Sequence, residues 1–506
     1  MDAEYSQYMY ISPQRSRPIV VLPAQDPVAT WMRTIEEGTA PRLSAYGRSD
    51  LDSILGHPRV EHRFSAEEIV AMKAVAAVLP FRVNSYVLGL IDWQRAPDDP
   101  IFRLTFPWHD MLAREHCDAM VKLLGQGASP ERLRQEASRI YPDLNPHPGL
   151  QVHNIPALAN GKRLDGLQHK YPETVLFFPR QGQTCHSYCT YCFRWPQFVH
   201  LDGLKFASGE VQELIDYLRQ HPEVETVLFT GGDPMVMTAP VIAAYLDPII
   251  EARRNGELPH LSCIRIGSKS LSYWPFRFIS DPDAGEVLEL FRRVTASVEH
   301  GGAGLHLAFM AHFSHPHELT PIAGEAIRRL RAAGVTIRTQ APVIRGVNDR
   351  ADVWAGMWRR QVQLGLVPYY MFIERNTGAR GAFELPLARA YDIYRTATAA
   401  VSGLARTARG CSMSTSSGKV AIRGVRPIHG EDVFALEFLQ ARNPQAVGVP
   451  FYARFDRHAT WLDELEPASF ERGDLPLPWR EVLKWRDIEA RGSTEVRPLA
   501  RAGNYR

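Results

Sequence analysis

Between Thr174 and Ile373 the chain alternates short β-rich runs with amphipathic helical patterns, and few folds accept such a rhythm. Strand patterns occupy 174–178 (TVLFF), 226–229 (TVLF), 264–268 (IRIGS), 305–310 (LHLAFM), 336–343 (TIRTQAPV) and 368–373 (PYYMFI). Between them, GEVQELIDYLRQ from Gly209, AGEVLELFRRV from Ala284, GEAIRRLRAAG from Gly324 and RADVWAGMWRRQVQLG from Arg350 carry apolar residues at helical spacing, and Gly334 supplies a helix stop. Parallel strands need a crossover connection, usually a helix. The alternation therefore predicts an α/β fold, a partial (β/α)6 barrel over 171–390, with ligands at the carboxyl ends of the strands.

The remainder is organised around that core. Residues 1–170 read as mainly helical, as in SAEEIVAMKAVAAVL after Phe64; 391–430 form a separate segment; 431–506 read as an irregular, aromatic C-terminal extension. At 506 residues the chain has ample length for such a core. Its net charge of +2 has no like-charge block behind it, which argues against a nucleic-acid partner. The longest apolar stretch, AVAAVLPF from Ala74, is far shorter than the roughly 18 residues of a membrane span. No membrane partner and a cytoplasmic location are expected.

Six cysteines in 506 residues are too few for a disulfide scaffold, yet TCHSYCTYCFRW gathers Cys185, Cys189 and Cys192 within one short stretch. Zinc prefers four ligands, and His186 or His200 would have to supply the fourth, making a zinc-stabilised binding module one reading. A [4Fe-4S] cluster is the other, with thiolates on three irons and the fourth iron open.

CHSYCTYC resembles the CxxxCxxC signature of radical S-adenosylmethionine enzymes, including the aromatic Tyr191 before the last cysteine. The resemblance implies that the open iron binds S-adenosylmethionine and that reduction releases a 5′-deoxyadenosyl radical. TGGDP after the 226–229 run is similar to the motif that holds the amino group of S-adenosylmethionine, which assigns Thr230, Gly231, Gly232 and Asp233 to cofactor binding.

Over about 80–425 the chain further resembles lysine 2,3-aminomutase and its relatives, through NSYVLGLID, HKYPETVLFF, CFRW, IRIGSKS, HFSHPHELT, APVIRGVND and VPYY. The resemblance implies a second cofactor, pyridoxal 5′-phosphate, held as a Schiff base by Lys419 in STSSGKVAI, with Lys170 and Tyr171 nearby. Only Gly418 remains of a stretch that is mostly glycine in the family. Arg194 takes the place of the arginine that grips the substrate carboxylate. Arg375 and Ser412 fall where the lysine enzymes carry two aspartates, so an acidic or polar amino acid is expected instead of lysine; a one-residue slip would put Glu374 there.

The expected activity is thus a radical 2,3-aminomutase. The alternative is a radical enzyme without pyridoxal phosphate, acting as an oxidoreductase or rearrangement enzyme on an amino-acid-derived metabolite. The resemblance also implies an external electron donor such as flavodoxin or ferredoxin, and the extension leaves homo-oligomerisation or a cover over the site open. His312, His315 and His317 are expected to pack a loop, Asn348 and Asp349 to lead into a helix, and Cys117, Cys263 and Cys411 to be buried small hydrophobes.

Overall fold

The computed structural model describes residues 27–37, 41–146, 149–199, 201, 206–296 and 305–490; residues 1–26, His200 and the tail after 490 lie outside the described residues. The front of the chain is helical, with α1 (Pro27–Glu36), α2 (Ala66–Val78), α3 (Arg114–Gly125) and α4 (Pro130–Leu144) around a small ribbon of β1 (Ala45–Gly47) and β2 (Arg82–Asn84). SAEEIVAMKAVAAVL makes α2 as expected, because Ser65 Oγ accepts from Glu68 N while Glu68 Oε2 accepts from Ser65 N. This reciprocal cap satisfies two otherwise orphaned donors.

An eleven-stranded sheet follows, running in chain order from β3 to β13. It begins with β3 (Leu167–Tyr171), antiparallel to β4 (Thr174–Phe177), and continues through β5 (Thr226–Phe229), β6 (Cys263–Ser268), β7 (His306–His312), β8 (Thr336–Val343) and β9 (Val367–Ile373), each parallel to the last. β4 to β9 are the six expected strands. The crossovers carry α5 (Val211–Gln220), α6 (Ala239–Arg254), α7 (Ala284–Ala296), α8 (Pro321–Ala332) and α9 (Ala351–Gln363). The buried face of β8 alternates strictly, whereas central β7 is buried along nearly its whole length, the pattern of a strand covered on both faces.

Two features depart from expectation. After α10 (Leu387–Ala399), β10 (Arg409–Ser414) adds a further parallel strand beside β9. The sheet then continues antiparallel through β11 (Gly418–Ile428) and, beyond 430 where irregular structure was expected, through β12 (Glu431–Ala441) and β13 (Pro450–Arg454), and the described chain ends in α11 (Leu477–Ala490). The physical signal is the burial of Phe434, Leu436 and Phe438 at a spacing of two along β12.

The sheet curls. Lys170 of β3 donates to the carbonyl of Thr415 in the turn before β11, and Gln440 of β12 donates to Glu173 beside β4. Strands from opposite flanks of an eleven-stranded sheet can meet only if the sheet bends round on itself. Among the described residues no helix is long and apolar enough to cross a membrane.

Candidate active site

The loops at the carboxyl ends of β4 to β10 share one end of the sheet and carry the cysteine loop, TGGDP and Arg375, whereas Lys170 and Tyr171 lie beside the start of β4. The cysteine loop follows β4 and has no regular structure of its own; the N-terminal region holds it. Tyr188 N donates to Arg82 O (2.8 Å), Thr190 N to Leu104 O (3.0 Å), Thr190 Oγ1 to Arg103 O (2.7 Å) and Asn84 Nδ2 to His186 O (3.2 Å). Cys185, Cys189 and Cys192 are half-buried, and charge on Cys189 disfavours ionisation of both Cys185 and Cys192. Burial first, then Cys189, pushes the Cys192 thiol up to about 12. A cationic cluster that binds these sulfurs reverses that preference, because a coordinating thiol is deprotonated outright. Tyr273 Oη lies 3.7 Å from Cys189 Sγ, and Lys269 Nζ stands 4.5 Å from the Tyr273 ring.

Among the described residues, no group of three or more His, Cys, Asp or Glu side chains is drawn together as ligands of a single ion. Three thiols on one short loop, near enough to interact, suit the three protein-held corners of a four-iron cluster. His186, weighed above as a zinc ligand, is buried with both ring nitrogens lacking protein partners, and burial pulls its pKa down to about 3.

TGGDP follows β5. Asp233 N donates to Thr184 O at 2.6 Å, which locks this turn against the residue before Cys185. Gly232 leaves no room for a side chain, since a Cβ would fall 2.3 Å from Thr184 O, and Gly231 has φ +130°. Gly232→Ala is expected to destabilise the fold by at least about 2 kcal/mol, because the obstruction is backbone. Urea denaturation of the variant checks this, and wild-type stability would show that the turn is free to shift. The carboxylate of Asp233 accepts from Met235 N, Ser268 Oγ and Lys269 N, each at 2.9 Å, so it ties β5 to β6. Thr230 N donates to Phe177 O at 3.0 Å, joining the same turn to the end of β4.

Lys419 lies near the start of β11, where its Nζ donates to Gln440 Oε1 at 2.8 Å. The rings of Tyr370, Tyr171 and Phe372 stand 4.2, 5.6 and 5.7 Å from the same nitrogen. Burial among these rings pulls the ammonium down to about 8. A lysine made partly neutral near physiological pH is the kind that forms carbonyl adducts. Gly418 is dictated by packing, since a Cβ there would meet Gln440 O at 2.4 Å. Ser412 Oγ is buried without a protein partner on β10, and Tyr171 is buried beside Lys170.

Arg194 and Arg375 both reach Phe193, with guanidinium carbons 5.0 and 4.8 Å from the ring centre. Arg194 is buried, its Nη1 has no protein partner, and burial lowers it to about 10. Arg375 Nη2 donates to Ser414 O at 2.9 Å. Glu374, the residue that a slip would bring in, is buried too, and burial raises its carboxyl to about 8. It is therefore mostly protonated at neutral pH and offers little negative charge.

The histidine loop packs without gathering ligands: His312 Nε2 lies 2.8 Å from Gln340 Nε2, and His315 Nδ1 accepts from His317 N at 3.3 Å. Asn348 pins the loop by donating to Ser314 O and Pro342 O, and α9 begins at Ala351 as expected. Cys117 and Cys411 are buried as expected, but Cys263 is only half-buried because it opens β6 at the sheet's rim. Sequence reasoning missed Phe193, Tyr370, Phe372 and Gln440. The spacing of two between Tyr370 and Phe372 was a usable signal, since it puts both on one face of β9.

No family model matches the chain. Among curated proteins, the "Putative L-lysine 2,3-aminomutase" of Aquifex aeolicus is 32% identical over 398 residues, 79% of this chain and 91% of that protein. L-lysine 2,3-aminomutase of Clostridium subterminale is 30% identical over 207 residues, 41% of this chain and 44% of that protein. The Bacillus subtilis enzyme of the same name is 28% identical over 258 residues, 51% of this chain and 50% of that protein. Likeness spread over nearly the full length of the Aquifex protein carries the assignment, and the chain belongs to the lysine 2,3-aminomutase family of radical S-adenosylmethionine isomerases.

Proposed function

We propose that this chain is a radical 2,3-aminomutase for an acidic or polar α-amino acid, built on a partial (β/α)6 barrel, with a [4Fe-4S] cluster on Cys185, Cys189 and Cys192 and pyridoxal phosphate on Lys419. The observation that carries the substrate reading is the pair of guanidinium groups on Phe193. Arg194, buried with a free Nη1, is suited to an α-carboxylate through its planar fork. Arg375 on the same ring presents a second cation to the side chain of the substrate, and Ser412, buried on β10 with an unpartnered hydroxyl, brings no charge to oppose it. A lysine ammonium would meet cations and a largely neutral Glu374 there.

When bound, the cluster and S-adenosylmethionine supply a hydrogen-abstracting radical, and pyridoxal phosphate supplies a carbonyl to carry the migrating nitrogen. The residues of this chain hold and shield those groups. Tyr191 Oη, 2.9 Å from Ser314 Oγ, braces the cysteine loop against the loop that follows β7. Gly231 and Gly232 let Gln183 and the Thr184 backbone close directly on the turn after β5, with Thr230 and Asp233 fixing it on either side. Tyr171, Tyr370 and Phe372 keep water from Lys419 Nζ.

The test is an anaerobic assay of glutamate, aspartate, glutamine and lysine with chromatographic detection of β-amino products. Conversion of an acidic or polar member is expected, with kcat/KM for lysine lower by at least about 100-fold, the scale of one unpaired buried charge. Efficient lysine turnover would overturn the substrate reading.

A further inference from the structure

The turn leading to Lys419 is held in an unusual way. Three cations from three different elements grip three consecutive carbonyls: Arg375 Nη2 on Ser414 O (2.9 Å), Lys170 Nζ on Thr415 O, and Arg442 Nε on Ser416 O (2.8 Å). Arg442 N also donates to Ser417 O at 3.1 Å. A carbonyl satisfies a donor but does not cancel its charge. Glu489 of α11 faces all three cations, Glu374 faces Arg375 and Glu481 faces Arg442. Against them stand Lys170, Arg375, Arg442 and the neighbouring Lys419, which Glu173 also faces, in a setting whose burial lowers the pKa of each. Positive groups crowded into a half-buried setting favour an anion among them.

Two donors in this place have no protein acceptor. Arg442 Nη1 and Trp485 Nε1 are both buried and unpartnered, and the Trp485 ring lies 3.9 Å from the Arg442 guanidinium carbon. Arg442 follows β12 and Trp485 belongs to α11, so the C-terminal segment supplies both. Asn443 Nδ2 donates to Glu481 Oε1 at 3.1 Å and fastens α11 beside Arg442.

We propose that the Ser414–Ser417 turn, Lys170, Arg442 and Trp485 form a cradle for a phosphate monoester, making α11 one wall of the active site. On the reading given above, on which this identification of the ligand rests, the monoester is the phosphate of the pyridoxal cofactor at Lys419. The cradle accounts for the loss of glycines before Lys419. Cations that fix the turn by its carbonyls and contribute charge-assisted donors replace a run whose use is to expose peptide N–H groups. Arg442 is a binding residue here, and Trp485 a positioning residue that holds its guanidinium flat.

The test compares pyridoxal phosphate with pyridoxal, which lacks the phosphate, on the full-length wild type, Arg442→Gln, Arg442→Lys and Trp485→Leu. Aldehyde binding is read from imine absorbance, and inorganic phosphate binding from the rise in melting temperature. Arg442→Gln is expected to weaken pyridoxal phosphate at least about tenfold while leaving pyridoxal within about twofold. Arg442→Lys should recover part of the loss, Trp485→Leu should lose less in the same direction, and inorganic phosphate should stabilise the wild type but not Arg442→Gln. Unchanged pyridoxal phosphate binding in Arg442→Gln, or equal loss of both aldehydes in a folded variant, would overturn the cradle. If neither aldehyde reacts with the wild type, the cofactor reading fails separately. Arg442-dependent stabilisation by inorganic phosphate would then support a cradle for another phosphate monoester, and its absence would overturn the cradle as well.

Discussion

Replacing Cys189 by alanine is expected to abolish reductive cleavage of S-adenosylmethionine, with 5′-deoxyadenosine formation falling at least about 10³-fold, and to leave the purified protein without iron–sulfur absorbance. The size of the effect follows from the number of thiolates. Cys185, Cys189 and Cys192 are a minimal set for a cluster with one open iron, and the nearest other cysteines, Cys117 and Cys263, lie on a helix and a strand away from this loop. The fold should survive, because the loop is held by hydrogen bonds to the carbonyls of Arg82, Arg103 and Leu104 that do not involve the thiols. Circular dichroism close to wild type with no chromophore is the expected signature. Retention of a full cluster and of 5′-deoxyadenosine formation would remove Cys189 from the ligand set.

Lys419→Ala is expected to separate the two halves of the chemistry. Amino migration should fall at least about 10³-fold, since the carbonyl carrier loses its attachment. Uncoupled cleavage of S-adenosylmethionine should persist within about threefold, because Lys419 stands across the site on β11 while the cysteine loop follows β4. Measuring β-amino product and 5′-deoxyadenosine in the same reaction reads both. Equal loss of both would make Lys419 a structural residue of the Gln440 contact; equal retention would make it irrelevant to the reaction.

The parallel run was legible because strands buried on both faces appear as short apolar blocks, and β4 to β9 were found within two residues of their ends. β7 runs on to His312, two residues past the expected end, because main-chain pairing with Gln340 continues where the apolar signal stops. β10 was hidden by its own composition: RGCSMS has small and hydroxyl side chains, and its strand character comes from being wedged between β9 and β11. The cysteines were legible because a cluster loop is local in sequence. Arg442, Trp485 and Glu489 were not, since each acquires its role from other elements of the fold, Arg442 from Ser416 and Asn154, Trp485 from Arg442 and Glu489 from Lys170 and Arg375, which no periodicity records.

The central claim is that Lys419 carries an aldehyde cofactor in this site. Full-length protein prepared anaerobically with pyridoxal phosphate, reduced with borohydride, digested and examined by peptide mass spectrometry tests it directly. A pyridoxyl group on the Lys419 peptide is predicted, with yield rising as pH passes through about 8, because burial lowers this amine from the ordinary lysine range near 10.5 and more of it is neutral and nucleophilic above that pH. A pyridoxyl group on Lys170 instead, or none on either lysine in protein with an intact cluster, would contradict the account.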